Sequence, residues 1–165
     1  MNFQGILASA APSKETVVTV GVFDGVHQGH RHLLRQVVEA AGGQYIPTVV
    51  TFSNRPITVL NPGTEPSYLT TVDQRVDLIK QQGIELVVSL EFTLELAQVT
   101  AEDFSKLLAG PLKMKGLVLG PDSALGKDRQ GDLEFMQKQG EQLGFWARSV
   151  EPLEVEGQPV KSRRI

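Results

Sequence analysis

The segment Gly21-Val22-Phe23-Asp24-Gly25-Val26-His27-Gln28-Gly29-His30 concentrates the chemistry of this chain. Glycines at 21, 25 and 29 let the backbone turn tightly and let a ligand approach closely. A helix starting near Gln28 would aim unpaired backbone N–H groups at that ligand, and a helix N-terminus favours anions by roughly 0.3–1 kcal/mol when exposed. His27 and His30 are three residues apart across the helix start, so both can face one pocket. Each imidazole can donate a hydrogen bond to a phosphoryl oxygen, most strongly when protonated.

Such donors suit a phosphorus centre under attack. Charge moves onto the departing phosphates, and by analogy with oxyanion holes each fixed donor is worth about 3–4 kcal/mol there. No nucleophilic side chain is needed when the acceptor is itself an anion. Two histidines at a helix start can also do no more than hydrogen-bond the backbone. The context that gives the motif meaning is a buried strand before it and an amphipathic helix after it. A zinc site is a poorer match, because no third ligand lies near His27 and His30 and the chain has no cysteine.

The flanking sequence supplies that context. Val17 to Phe23 is an apolar, β-branched run that predicts a buried strand. Leu33, Leu34, Val37, Val38 and Ala41 then recur at helical spacing until Gly42-Gly43. Further strands are expected over 45–52, 85–90, 116–120 and 145–150. A helix opened by a Thr71–Gln74 capping box should carry Val72, Val76 and Ile79 and end at Gly83. Two short helices, parted near Thr100, should fill 92–109. Asp132 should cap a helix bearing Leu133, Met136 and Leu143 that closes at Gly144. Three prolines and two asparagines make 53–67 a loop, 121–131 is a second polar loop, and 153–160 has the look of a hairpin. Strand and helix alternate and the strands are almost continuously apolar. The expected fold is therefore α/β: a Rossmann-like, five-stranded parallel sheet with helices on both faces. Ligands of such sheets sit beyond the carboxyl ends of the strands, where the segment after Phe23 falls.

Composition sets the outer limits. The 165 residues fit one domain, 41% of them apolar and 21% charged. The absence of cysteine excludes disulfides and suits a reducing cytoplasm. A formal charge of -3 provides no general attraction for nucleic acid. No apolar run reaches the length of a membrane span, so no membrane partner is expected. Ile6-Leu7-Ala8-Ser9-Ala10 lacks the basic start of a signal peptide and is expected to be a flexible leader. Nothing in the sequence points to a particular oligomeric state.

The whole segment from Gly21 to Leu34 resembles the signature of the bacterial bifunctional FAD synthetases, in their FMN adenylyltransferase domain, within the wider His-x-Gly-His nucleotidylyltransferases. The resemblance continues along the chain. Val50-Thr51-Phe52-Ser53-Asn54-Arg55-Pro56 is similar to the family's "TFDPHP" stretch, and Leu69-Thr70-Thr71 with Arg75 to its "LTT…R" helix start. Gly120-Pro121-Asp122-Ser123-Ala124-Leu125-Gly126 is similar to "GxDFxFG", with Arg129 and Gly131 after it. Val160 to Ile165 stands where the family has "ISSTxIR".

The resemblance implies that ATP binds with Mg²⁺ at the His-x-Gly-His loop. The FMN phosphate then attacks the α-phosphorus, giving FAD and pyrophosphate. It makes His27 and His30 the catalytic pair holding the ATP phosphates, while Gly21, Phe23, Asp24 and Gly29 shape the nucleotide pocket. Ser162 and Arg164 would approach the ATP phosphates from the tail, and Asp122 would serve nucleotide or flavin. Asn54, Arg55, Leu125 and Arg129 would lie on the acceptor side. The chain departs from the pattern at Arg55, which replaces a histidine, and at Ser123 and Leu125, which replace aromatic residues. Lys161 and Arg163 replace a serine and a threonine. The family's riboflavin kinase domain, a separate β-barrel, is absent from these 165 residues, so converting riboflavin to FMN is not expected of them.

Two other functions stay open at this stage. The same loop chemistry suits nucleotidyl transfer to another phosphate acceptor, such as phosphopantetheine or a nucleotide. The altered positions 55, 123, 125, 161 and 163 are also compatible with a nucleotide- or flavin-binding module of little turnover.

Overall fold

The computed structural model describes residues 3–10, 12–21, 23, 28–52, 72–120, 130–150, 154–155 and 158–159. The expected loop over 53–67 and the Thr71 half of the capping box lie outside them, as do Asp24, His27, Asn54, Arg55, Asp122, Leu125, Arg129, Ser162 and Arg164.

Five strands form one parallel sheet: β1 (Thr16–Val20), β2 (Ile46–Phe52), β3 (Leu86–Leu90), β4 (Met114–Leu119) and β5 (Trp146–Ser149). Their spatial order is β3-β2-β1-β4-β5, and every pairing is parallel. The chain therefore builds outward from β1 in one direction, then returns to its other side at β4. That reversal is a topological switch point, and the crevice between β1 and β4 is where such sheets bind ligands. A small antiparallel ribbon, β6 (Glu154–Val155) with β7 (Gln158–Pro159), forms the expected hairpin.

Successive side chains in a strand face opposite ways, and here both faces are covered. Val17, Val49 and Val118 pack with α2 (Gln28–Ala41) and α3 (Val72–Gln81), through Leu33, Leu34, Val37 and Ile79. Val18, Val50, Val88, Leu117 and Leu119 face the other way. They meet Leu7 of α1 (Phe3–Ala10), Leu96 of α4 (Leu94–Ala97), Phe104 and Leu108 of α5 (Ala101–Ala109), and Met136 of α6 (Leu133–Leu143). This double cover explains why β1 to β4 are nearly continuously apolar, while the edge strand β5 exposes Arg148 and Ser149.

The helix ends follow local chemistry. Gly42 and Gly43 have φ of 56° and 78°, and Gly144 has φ of 86°, left-handed values that close α2 and α6 where glycine carries no Cβ penalty. Thr100 accepts a hydrogen bond from the Asp103 N–H at 3.1 Å, and Asp132 from the Phe135 N–H at 2.9 Å. Thr93 caps α4 in the same way, accepting from Leu96 N–H at 3.1 Å.

Two expectations need correction. The segment containing Ile6 to Ala10 is not a flexible leader. Residues Phe3–Ala10 are helical, and Leu7 is fully buried against the core. The first strand also stops earlier than Phe23, at Val20, because the chain turns sharply at the site described next.

Candidate active site

The site begins where β1 ends. Gly21 extends the ladder by one bond, its N–H donating to the Val50 carbonyl at 3.0 Å. Phe23 then adopts φ of 58°, a left-handed conformation that a bulky residue rarely holds. The ring repays this strain by burial: Phe23 is 3% exposed and sits in the same apolar layer as Leu33, Leu34 and Val37. A Cβ on Gly21 would come within 3.0 Å of the Phe23 ring, so a glycine at 21 is what permits the ring to fold back over the strand end.

Helix α2 starts at Gln28, placing Gly29 and His30 in its first turn. The first four N–H groups of an α-helix have no partner within it, so this turn is a ready anion site beyond the end of β1. His30 is buried, with 8% of its surface exposed, and its ring meets Phe23 edge-on at 5.1 Å. Its backbone position is set by the helix and its ring by an aromatic neighbour, so the imidazole is preorganised.

Of the residues singled out in the sequence, the structure brings Gly21, Phe23, Gly29 and His30 together at the end of the central strand. Phe23 reaches the site through its backbone and through His30, because its ring is turned into the core. Arg75, part of the quoted "LTT…R" match but assigned no role there, is almost wholly buried at 1% exposure. Its guanidinium donates from Nη1 to the carbonyl of Phe52, the last residue of β2. The signal available in the sequence was its place one helical turn before Ile79, on the apolar face of α3.

Among the described residues no group of three or more His, Asp or Glu is arranged to hold a metal ion. Among the described residues, too, no helix is long and apolar enough to cross a membrane.

This five-stranded parallel sheet, with a helix N-terminus placed beyond its central strand, is an α/β fold of the Rossmann-like nucleotidyltransferase type. The chain belongs to the FAD synthetase family, whose model matches residues 9–164. It is 34% identical over 139 residues to the bifunctional riboflavin kinase/FMN adenylyltransferase of Escherichia coli K12, covering 83% of this chain and 44% of that protein. The protein of the same description from Pseudomonas fluorescens is 32% identical over 151 residues, covering 90% and 48%. The chain thus spans somewhat less than half the length of these relatives. A solved structure described as a macrolide-efflux protein from Streptococcus pneumoniae superposes with a TM-score of 0.86 at 26% identity, over 99% of this chain and 54% of that one. That likeness is one of fold, and the efflux description belongs to that protein alone.

Proposed function

We propose that this chain is an FMN adenylyltransferase domain, which transfers the adenylyl group of ATP to FMN with formation of FAD and pyrophosphate. The observation that carries the reading is the placement of His30 in the first turn of α2, directly beyond the end of the central strand. Membership of the FAD synthetase family supports ATP and FMN as the substrates.

The steps follow from that placement. The triphosphate of ATP lies against the N-terminal turn of α2, where backbone N–H groups and the helix dipole favour negative charge. A phosphate oxygen of FMN attacks the α-phosphorus, in line with the bond to the β-phosphate. The new P–O bond forms as that bond breaks, and pyrophosphate carries away the electron pair. The attacking group is already an anion, so no general base is required. Negative charge grows on the departing β-phosphate, and the imidazole of His30 donates a hydrogen bond to it. His27 joins it as the second donor. Asp24, Gly29, Asp122, Ser162 and Arg164 complete the ATP side, and Asn54, Arg55, Leu125 and Arg129 the flavin side. ATP brings its own Mg²⁺. The cysteine-free chain suits work in a reducing cytoplasm.

The test is incubation of the purified chain with ATP, FMN and Mg²⁺, followed by chromatography for FAD and pyrophosphate. FAD formation that falls by about a hundredfold or more in His30→Ala, and likewise in His27→Ala, supports the assignment. Undiminished FAD formation in both variants would sink the roles of the histidines. A folded wild-type chain that makes no FAD would overturn the reading.

A further inference from the structure

We propose that Arg75 is a positioning residue for the flavin-phosphate acceptor, acting through the carboxyl end of β2. The inference rests on the transferase reading above.

Arg75 heads the fully buried side chains ranked by size. Taking a guanidinium out of water is costly, and an apolar residue would fill the place one turn from Ile79 without that cost. What an apolar residue cannot do is hold a carbonyl. Arg75 donates to the carbonyl of Phe52, where β2 ends. Two residues earlier on the same strand, Val50 accepts the N–H of Gly21 at 3.0 Å. The guanidinium, the end of β2 and the turn after β1 are therefore linked through one short stretch of strand.

The surroundings agree with a ligand-facing role. Val18 and Val20, Val50 and Phe52, and Val88 and Leu90 all face the α1, α5 and α6 side. The residues between them, Thr19, Thr51 and Ser89, therefore face the α3 side with Arg75. Thr19 and Thr51 are fully buried. Lower on the same face the strands present Val17, Val49 and Val87. The layer turns polar towards its carboxyl edge, the edge where ligands of parallel sheets bind.

The effect should be selective. The triphosphate is assigned to the N-terminal turn of α2, which follows β1. The end of β2 lies one strand further from the switch point, and Ser53, Asn54 and Arg55 follow Phe52 directly in the chain. A loosened β2 end therefore disturbs the acceptor more than ATP.

The experiment compares wild type, Arg75→Met and Arg75→Lys. Its readouts are KM for FMN and for ATP in FAD formation, FMN affinity by flavin fluorescence, and thermal unfolding. Arg75→Met should raise the FMN KM and Kd by about tenfold and leave the ATP KM within about twofold. Arg75→Lys should fall between, because it keeps a charge and a donor but not the planar fork. If Arg75→Met does not fold, Arg75→Lys decides by the same split. A lowered unfolding temperature with both KM values unchanged would reduce Arg75 to a structural residue and overturn the proposal, as would equal rises in both. A wild type that neither binds FMN nor makes FAD brings down the transferase reading itself. An active wild type with an indifferent Arg75→Met brings down only this inference.

Discussion

The ring of Phe23 stands edge-on to the imidazole of His30, with ring centroids 5.1 Å apart and planes at 72°. The positive edge of one aromatic ring against the face of another is a favoured arrangement, contributing about 0.5–1.5 kcal/mol beyond area burial. Here it also has a geometric consequence. Phe23 lies at the turn after β1 and His30 in the first turn of α2, so the contact ties the strand end to the helix start. Phe23→Leu should keep the fold but free the imidazole. FAD formation should show kcat lowered by about tenfold, with the ATP KM changed far less. An unaltered kcat would show that His30 is oriented by other neighbours.

Gly21 and Phe23 should prove energetically coupled. A Cβ at 21 would lie 3.0 and 3.1 Å from two atoms of the Phe23 ring, which is tight but borders on a side chain that can shift. Gly21→Ala should therefore cost about 1–3 kcal/mol in denaturant unfolding. Combined with Phe23→Leu it should cost less than the sum of the two single changes, because the smaller side chain removes the crowding. Simple additivity would mean that the cost at 21 arises elsewhere.

The N-terminal helix should contribute to stability. Leu7 is fully buried, and α1 packs against β3 and α5. Leu7→Ala should destabilise the protein by about 2–5 kcal/mol, the range for emptying a buried leucine site. Urea unfolding measures it directly. A loss below about 0.5 kcal/mol would mean that the segment behaves in solution as a leader.

Two glycines should differ in their tolerance of alanine. At Gly140 an added Cβ would stand 2.1 Å from the carbonyl oxygen of Phe145, so backbone must move. At Gly116 it would stand 2.2 Å from the Trp146 indole, a half-buried side chain on the edge strand β5 that can swing outward, releasing its contact with the Arg148 guanidinium at 4.7 Å. Gly140→Ala should cost more than about 3 kcal/mol, and Gly116→Ala about 1–3 kcal/mol. Thermal unfolding of the two variants side by side gives the ranking, and the reverse order would contradict the backbone argument.

Much of this protein was legible in its residues because the deciding interactions are local. Asp132 and Thr100 reach N–H groups three residues away, and Gly42, Gly43 and Gly144 end helices through their own backbone angles. Those signals, with the apolar periodicity of α2, were enough for the alternation of strand and helix, the parallel sheet and the helix start that carries His30. What they did not contain was contact between distant segments. An eight-residue helix such as α1 is marginal alone and exists because β3 and α5 bury Leu7. The apolar run from Val17 to Phe23 reads as one strand, but packing on α2 draws the Phe23 ring back into the core and forces the left-handed turn. Strand order follows the same logic. β1 to β4 are each apolar enough to be central, and only the burial of both faces together places β1 beside β4 and leaves β3 at an edge, whereas β5, with Arg148 and Ser149 exposed, suits its place at the other. The sequence by itself determined which residues have the types and spacing suited to phosphate chemistry. The tertiary structure decided that His30 is held by Phe23, and that Arg75, 45 positions further on, grips the end of the neighbouring strand.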